Sequence, residues 1–422
     1  MWLLHDTQET LRTLATRMHT DLPVNHLIER LLAPDRIIDV SLPVIMDDGS
    51  LRVFQGYRSQ HSNVRWPYKW GIRFHPHVDK DEVATLSLWM SLKCAVANLP
   101  LWWGKWGVIV DPKSLSPDEL ERLSRAYMRA IAAYIGPDTD IPAPDVNTNS
   151  TIMWWMLDEY QQIVGHPAPG VITGKSVDMG GSLWRDEATG RGGYLALSTY
   201  LDSRQLRLQD QTICIQWFGN VGMYFARLVA EAWARVVGVS DASGALFDEQ
   251  WLPIDDLIAA KTDTHISLLA YARSHGLTSG DNQDLLTHQC DILVPAALEG
   301  QITMDNVEQL HTQMILELAN GPVTWAADRW LFEHNIPVLP DILANAGGVT
   351  VSYFEQLQNA QWVSWSLEQV RDKLAASMRT ATETVISYAQ EHSVSLRDAA
   401  MLRALDLLLQ AEEARGGYTL SS

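Results

Sequence analysis

Apolar positions recur at helical spacing through 79–99, where the run opens after an acidic cap, and again through 116–135 and 151–164. The second of these begins with Ser116 as cap, Pro117 in the first helical position and Glu119 three residues on, the pattern of a capping box. Residues 1–20 read as an amphipathic helix and 36–46 as an apolar-rich stretch. Near 186 the pattern changes. Residues 187–203 are helical, 211–216 form a short β-branched run, a glycine turn follows, and a helix extends to about Arg235. Residues 236–240 then predict a strand that ends at Asp241. Further short strands at 292–294, 314–316 and 338–339, with helical stretches between them, predict a parallel doubly wound sheet. From about 350 the chain reads as helical to its end, with 416–422 expected to fray.

The order strand, tight turn, helix, strand, acid is that of a mononucleotide-binding unit. Here the turn is Trp217-Phe218-Gly219-Asn220-Val221-Gly222, and Asp241 follows Trp217 by 24 residues. An acid at that point hydrogen-bonds an adenosine ribose hydroxyl and disfavours an added phosphate, which leans the expectation to NAD over NADP. The length of 422 residues fits two domains. A net charge of −19 makes nucleic acid an unlikely partner, since an acidic chain repels phosphate backbones. Cys94, Cys214 and Cys290 have no CxxC spacing, which suggests neither zinc nor a disulfide framework and points to a reducing cytoplasm. No apolar run approaches membrane-spanning length, and 1–20, carrying His5, Asp6, Glu9 and Arg12, lacks a signal-peptide core.

Three lysines stand in motifs of their own: Lys69 in RWPYKWGIRFHP, Lys93 in WMSLKCAV and Lys105 in LWWGKWGVIVDP. Asp145 follows in IPAPDVNTN, and then come GGSLWRDEATGRG, WFGNVG, VSDASG, PAALEGQI, ANGP and PDILANAGGVTVSYFE. In order and spacing this series resembles the glutamate, leucine, phenylalanine and valine dehydrogenase superfamily over nearly the whole chain. The chemistry of such an enzyme suits the residues, because removing a hydride from an α-carbon and hydrolysing an iminium calls for a base of lowered pKa, and lysine is readily depressed by burial.

The resemblance implies an α/β fold of two domains. Residues 1–185 would bind substrate and carry the catalytic and oligomerisation functions, 186–349 would form a Rossmann-type cofactor domain, and 350–422 would return as helices to the first. It makes Lys105 the catalytic lysine and Asp145 the proton-shuttling acid, with Lys93 on the substrate α-carboxylate. Lys69 and Ser352 match the positions that glutamate-specific members use for the distal carboxylate. Cofactor contacts would come from Thr189, Gly219, Asn220, Val221, Gly222, Asp241, Asn320 and Asn345, with no metal. The implied reaction converts L-glutamate to 2-oxoglutarate and ammonium with NAD or NADP, in a cytoplasmic homo-hexamer, at a site in the cleft between the domains. A leucine- or phenylalanine-type enzyme is the alternative within the superfamily.

Other motifs read as ordinary structure. Lys80 and Lys113 are expected as surface charges, and His61, His75 and His77 as surface or structural histidines rather than metal ligands. The run Met153-Trp154-Trp155-Met156 reads as core, and Glu119, Glu121 and Arg125 as a solvated helix face.

The 17 tryptophans stand apart. Trp66, Trp70, Trp102, Trp103, Trp106, Trp184, Trp217, Trp233, Trp251 and Trp362 all fall where the superfamily pattern has glycine, a one-base exchange from GGG to TGG. Glycine serves where φ is positive or a backbone must come close to something. Indoles there are expected to strain the turns, and Trp102, Trp103 and Trp106 to crowd the floor of the catalytic site. A catalytically silenced homologue is therefore the second alternative.

Overall fold

The structure is a computed structural model that describes residues 10–16, 24–62, 67–263 and 265–414. Trp66, most of the expected N-terminal helix and the expected frayed end lie outside the described residues. The chain divides into two compact units, one of residues 1–183, 351–370 and 404–422, the other of 184–350 and 371–403.

In the first unit, β1 (Arg36–Ile45) and β2 (Leu51–Gln60) form an antiparallel hairpin. Its turn closes through Ser50 and Gly49, the latter at φ +81°. After β3 (Tyr68–His75) comes α1 (Lys80–Val96), capped by Asp79. There follow β4 (Trp102–Ile109), α2 (Pro117–Ile131), β5 (Asp140–Pro144) and α3 (Ser150–Val164). The strand order is β1-β2-β4-β3-β5. The expected capping box at Ser116 and Glu119 is present.

Alternation along the strands divides this sheet into two faces. Phe54, Ile72, Phe74, Trp106 and Val108 point to one, where they pack with Leu123, Tyr127, Met128 and Ile131 of α2 and Ile152, Met153 and Met156 of α3. The Met153–Met156 run is core, as its spacing implied. Lys69 and Lys105 belong to the opposite face. Ser59, across the ladder from Lys105, hydrogen-bonds Ser87 of α1, and Val83 of α1 lies against Gly107.

Two expectations change here. Trp106 does not crowd the lysines, because it is one residue from Lys105 and so faces the other way. It is fully buried, edge-on to Tyr127 at 5.7 Å, with the Arg58 guanidinium 4.1 Å from its ring centroid. Arg58 is itself paired with Asp140. The α2 face expected to be solvated instead ties two helices together, since Arg125 bonds Glu121 and reaches Asp158 at 2.6 Å, while Arg129 meets Glu159 at 2.7 Å.

In the second unit, α4 (Ala188–Ser203) leads to β6 (Thr212–Gln216), α5 (Asn220–Glu231) and β7 (Arg235–Asp241). Its sheet runs β12-β11-β10-β6-β7-β8-β9, with β8 Gly244–Phe247, β9 Thr278–Gly280, β10 Ile292–Pro295, β11 Met314–Leu316 and β12 Val338–Leu339. From β12 to β7 all neighbours are parallel, as expected; β8 and β9 add an antiparallel edge that the sequence pattern did not signal. Three long helices complete the chain: α6 (Gly347–Gln361), α7 (Leu367–His392) and α8 (Leu396–Ala414). Among the described residues no helix is long and apolar enough to cross a membrane.

Among the described residues four tryptophans have left-handed backbones: Trp184, Trp217, Trp233 and Trp362, at φ +72°, +76°, +66° and +55°. Trp233 and Trp362 occupy the left-handed residue that closes a Schellman motif at a helix C-terminus. Trp233 N–H donates to Ala230 and Ala234 N–H to Val229; Trp362 N–H donates to Asn359 and Val363 N–H to Gln358. That position belongs to glycine because a Cβ strains the αL conformation. Both indoles are about 70% exposed and recover little by burial (69% and 71%). Trp184 is compensated, sandwiched between Arg191 and Arg371 at 4.1 and 3.7 Å from its centroid. Trp233→Gly and Trp362→Gly are therefore each expected to stabilise the protein by about 1 kcal/mol, read as a raised denaturant midpoint at constant slope. Trp184→Gly, which removes the sandwich along with the strain, should gain less.

Candidate active site and dinucleotide turn

Lys105 enters from the middle of β4 and is almost fully buried. Its Nζ lies 2.8 Å from Oδ2 of Asp145, the residue directly after β5. Asp145 is fixed by its own N–H, which donates to Thr148 Oγ1 at 2.8 Å. Arg73 of β3 reaches the same Oδ2 at 3.2 Å and also bonds Glu82 at the start of α1. Burial pushes the Lys105 amine below its ordinary value; Asp145 opposes that shift and Arg73 adds to it. Burial also works to raise the Asp145 carboxyl, but Lys105 and Arg73 outweigh it and hold the group ionised, below the usual carboxylate range. The pair thus combines an amine that releases its proton readily with a carboxylate that stays charged.

A second group lies in the same unit. Lys69 of β3 donates to Thr173 Oγ1, and Thr173 shares a hydrogen bond of 2.9 Å with Ser352 Oγ on α6. The segment carrying Thr173 is anchored twice. Thr173 N–H donates to Pro142 of β5, and the Glu355 carboxylate accepts from Gly174 N–H and from Lys175 Nζ at 2.9 Å. Ser352 and Glu355 are three residues apart on α6, one on the hydroxyl row and the other on its support. Lys93 is buried on α1.

Sequence reasoning named Lys69, Lys105, Asp145 and Ser352 but missed Thr173, Arg73 and the Lys175–Glu355 pair. Arg73 stood inside the quoted RWPYKWGIRFHP motif, where its i+4 spacing from Lys69 marks it as a candidate. Nothing in the local pattern distinguishes Thr173, whose place depends on a contact 179 residues away along the chain.

In the second unit the turn after β6 holds the expected cofactor residues. Gly222 packs so closely that a Cβ there would lie 2.3 Å from the Trp217 carbonyl oxygen. Asn220 Nδ2 donates to the Asp186 carbonyl at 3.1 Å, and Val221 follows in the first turn of α5, whose N–H groups are the ones a helix leaves for an anion. Asp241 closes β7, with Oδ1 accepting from Ser243 and Oδ2 from Lys261 at 2.7 Å, a partner the sequence did not signal. Although burial raises it, these bonds keep the Asp241 carboxyl below its ordinary value. Thr189 lies against Gly348, and Asn345 Nδ2 donates to Leu318 O, Ala319 O and Asn320 Oδ1. Asn345 Oδ1 is buried with no hydrogen-bond partner among the described residues, which suits it to accept from a carboxamide such as that of a nicotinamide. These residues fit a dinucleotide, with β6 at the point where the strand order reverses. Among the described residues no group of side chains forms a metal site.

A doubly wound nucleotide unit and a unit built around a buried lysine, carried by one chain, define a nucleotide-dependent oxidoreductase architecture. The comparisons narrow it. Residues 180–416 match the family described as Glutamate/Leucine/Phenylalanine/Valine dehydrogenase, and residues 34–162 match its dimerisation domain. The catabolic NAD-specific glutamate dehydrogenase RocG of Bacillus subtilis is 45% identical over 92% of this chain and 91% of its own. The NAD-specific glutamate dehydrogenase of Staphylococcus aureus is 42% identical over 98% of both chains. Among solved structures, hetero-hexameric glutamate dehydrogenase from Thermus thermophilus in a leucine-bound form superposes with TM-score 0.91 at 34% identity, covering 99% of this chain and 98% of that one. The chain belongs to the Glu/Leu/Phe/Val dehydrogenase family.

Because the Lys175–Glu355 pair is buried and holds the Thr173 segment, Lys175→Met should cost about 3–5 kcal/mol in unfolding free energy by stranding the carboxylate. Replacing both partners with apolar residues should recover much of that loss, as read from denaturant unfolding of the single and double variants.

Proposed function

We propose that the protein is a glutamate dehydrogenase. It converts L-glutamate, water and NAD(P)+ to 2-oxoglutarate, ammonium, NAD(P)H and a proton. The observation that carries this reading is the row Lys69–Thr173–Ser352, an ammonium and two hydroxyls buried together. The distal carboxylate of glutamate offers acceptors to such a row. An isobutyl or benzyl side chain would offer this buried polar row no acceptor and would gain nothing from its ammonium and hydroxyls. That is the argument against the leucine- and phenylalanine-type alternative.

In this reading Lys93 holds the α-carboxylate, which leaves the α-carbon beside Lys105. A bound nicotinamide would supply the hydride acceptor for that carbon. Lys105 in its neutral form takes a proton from the attacking water, and burial favours that neutral form. Asp145, ionised at rest, takes up a proton only transiently as it passes protons to and from the departing nitrogen. Asp241 would bind the adenosine ribose, with Thr189, Asn220, Val221, Gly219 and Gly222 along the phosphates and Asn320 and Asn345 at the carboxamide. The Asp241 carboxylate and the NAD-specific names of the relatives favour NAD. A hexamer and a cytoplasmic setting belong to the same proposal.

The test is the appearance of reduced cofactor at 340 nm with L-glutamate and NAD+, then with NADP+ and with L-leucine. Glutamate with NAD+ should be the fastest combination, and preference for leucine would refute the reading. Activity should rise with pH as Lys105 loses its proton, since the neutral amine is the base and its pKa lies below the ordinary lysine value. Lys105→Met should lower kcat by about a thousand-fold and abolish that limb. Thr173→Val should instead raise KM for glutamate with little change in kcat.

A further inference from the structure

In a dinucleotide turn the second glycine exists so that the backbone can come close to the pyrophosphate. That residue here is Gly219, and the space on its open side is taken by the protein itself. A Cβ built on Gly219 would lie 2.7 Å from Nε1 and 2.8 Å from Cδ1 of Trp217, so the indole lies over the glycine where the phosphates would pass. The indole arrives there because of its backbone. Trp217 is at φ +76°, its N–H donates to Ser240 Oγ at 3.2 Å, and its carbonyl accepts from Gly219 N–H at 2.8 Å. The next residue, Phe218, is fully buried, and its N–H donates to the Ser240 carbonyl. The backbone on both sides is thereby pinned, while the indole keeps an open side, Trp217 being 41% exposed.

We propose that the Trp217 indole is an internal competitor for the pyrophosphate slot, which must swing off Gly219 before a dinucleotide can bind. The proposal rests on the reading of β6–α5–β7 as the cofactor unit. Its signature is selective. Ligands that cross the turn, such as NADH and ADP-ribose, are opposed by the indole; adenosine, which ends before the phosphates, is not. A slot closed nine-tenths of the time weakens apparent affinity about ten-fold, the fraction-open factor that conformational selection imposes.

Calorimetric titration of the whole protein with NADH, ADP-ribose and adenosine tests this, using native protein, Trp217→Gly and Trp217→Ala. Trp217→Gly removes both the indole and the left-handed strain; Trp217→Ala removes only the indole. Both variants should bind NADH and ADP-ribose at least about ten-fold more tightly, with adenosine changed less than about two-fold. Unchanged or weaker dinucleotide binding in Trp217→Gly overturns the proposal. Tightening in Trp217→Gly alone, with a folded Trp217→Ala left at the native value, also overturns it, because strain rather than the indole would then be the cause. If folded native and variant proteins all fail to bind NADH and ADP-ribose, the cofactor reading itself is wrong, and the proposal falls with it.

Discussion

A lysine amine buried in a sheet and held 2.8 Å from a carboxylate is the interaction around which the first unit is organised. Burial destabilises the charged amine, Asp145 restores part of that loss, and Arg73 keeps Asp145 ionised. None of the three would sit safely alone in such surroundings. The strand order brings them together. Lys105 comes from β4, Arg73 from the parallel neighbour β3, and Asp145 from the end of β5 on the far side of β3. The opposite face of the sheet has a different task. There Trp106, Tyr127 and the residues of α2 and α3 form a continuous core, so the polar face can hold charges without weakening the sheet.

The same logic recurs farther along the chain, where buried charge always comes with support. Lys175 and Glu355 pin the segment that presents Thr173. Arg397 meets Glu317, Asp328 and Asp341, and through Glu317 and Asp341 it fastens the loop around Asn320, whose backbone is held at Gly321 and Val323. Replacing one member of such a set leaves its partners desolvated and unpaired, and so the cost of a change far exceeds the worth of the single bond.

Much of this was legible in the sequence because it is local. The capping box at Ser116, the strand and turn at 212–222 and the strand ending at Asp241 are all set by neighbours a few residues apart. Glycine-demanding positions were legible too, and the left-handed φ of Trp184, Trp217, Trp233 and Trp362 gives the physical reason. What was not legible depends on distant chain. Thr173 gains its role from Ser352, and Asp241 its counter-charge from Lys261. Trp106 turns away from Lys105 although it is its neighbour in sequence, because adjacent strand residues face opposite ways. The antiparallel edge β8–β9 escaped because β9, Thr278–Gly280, holds no apolar residue and is a strand only through its pairing with the distant Ala245–Phe247.

The claim that a buried, proton-releasing lysine drives the chemistry is tested most directly by titrating Lys105 itself, following its acylation rate against pH by peptide mass spectrometry. The account predicts a midpoint clearly below the ordinary lysine value near 10.5, moving lower still in Asp145→Asn as the opposing carboxylate charge is lost. A midpoint at or above the ordinary value in the native protein would contradict it, because the amine would then stay charged at the pH where the reaction must run.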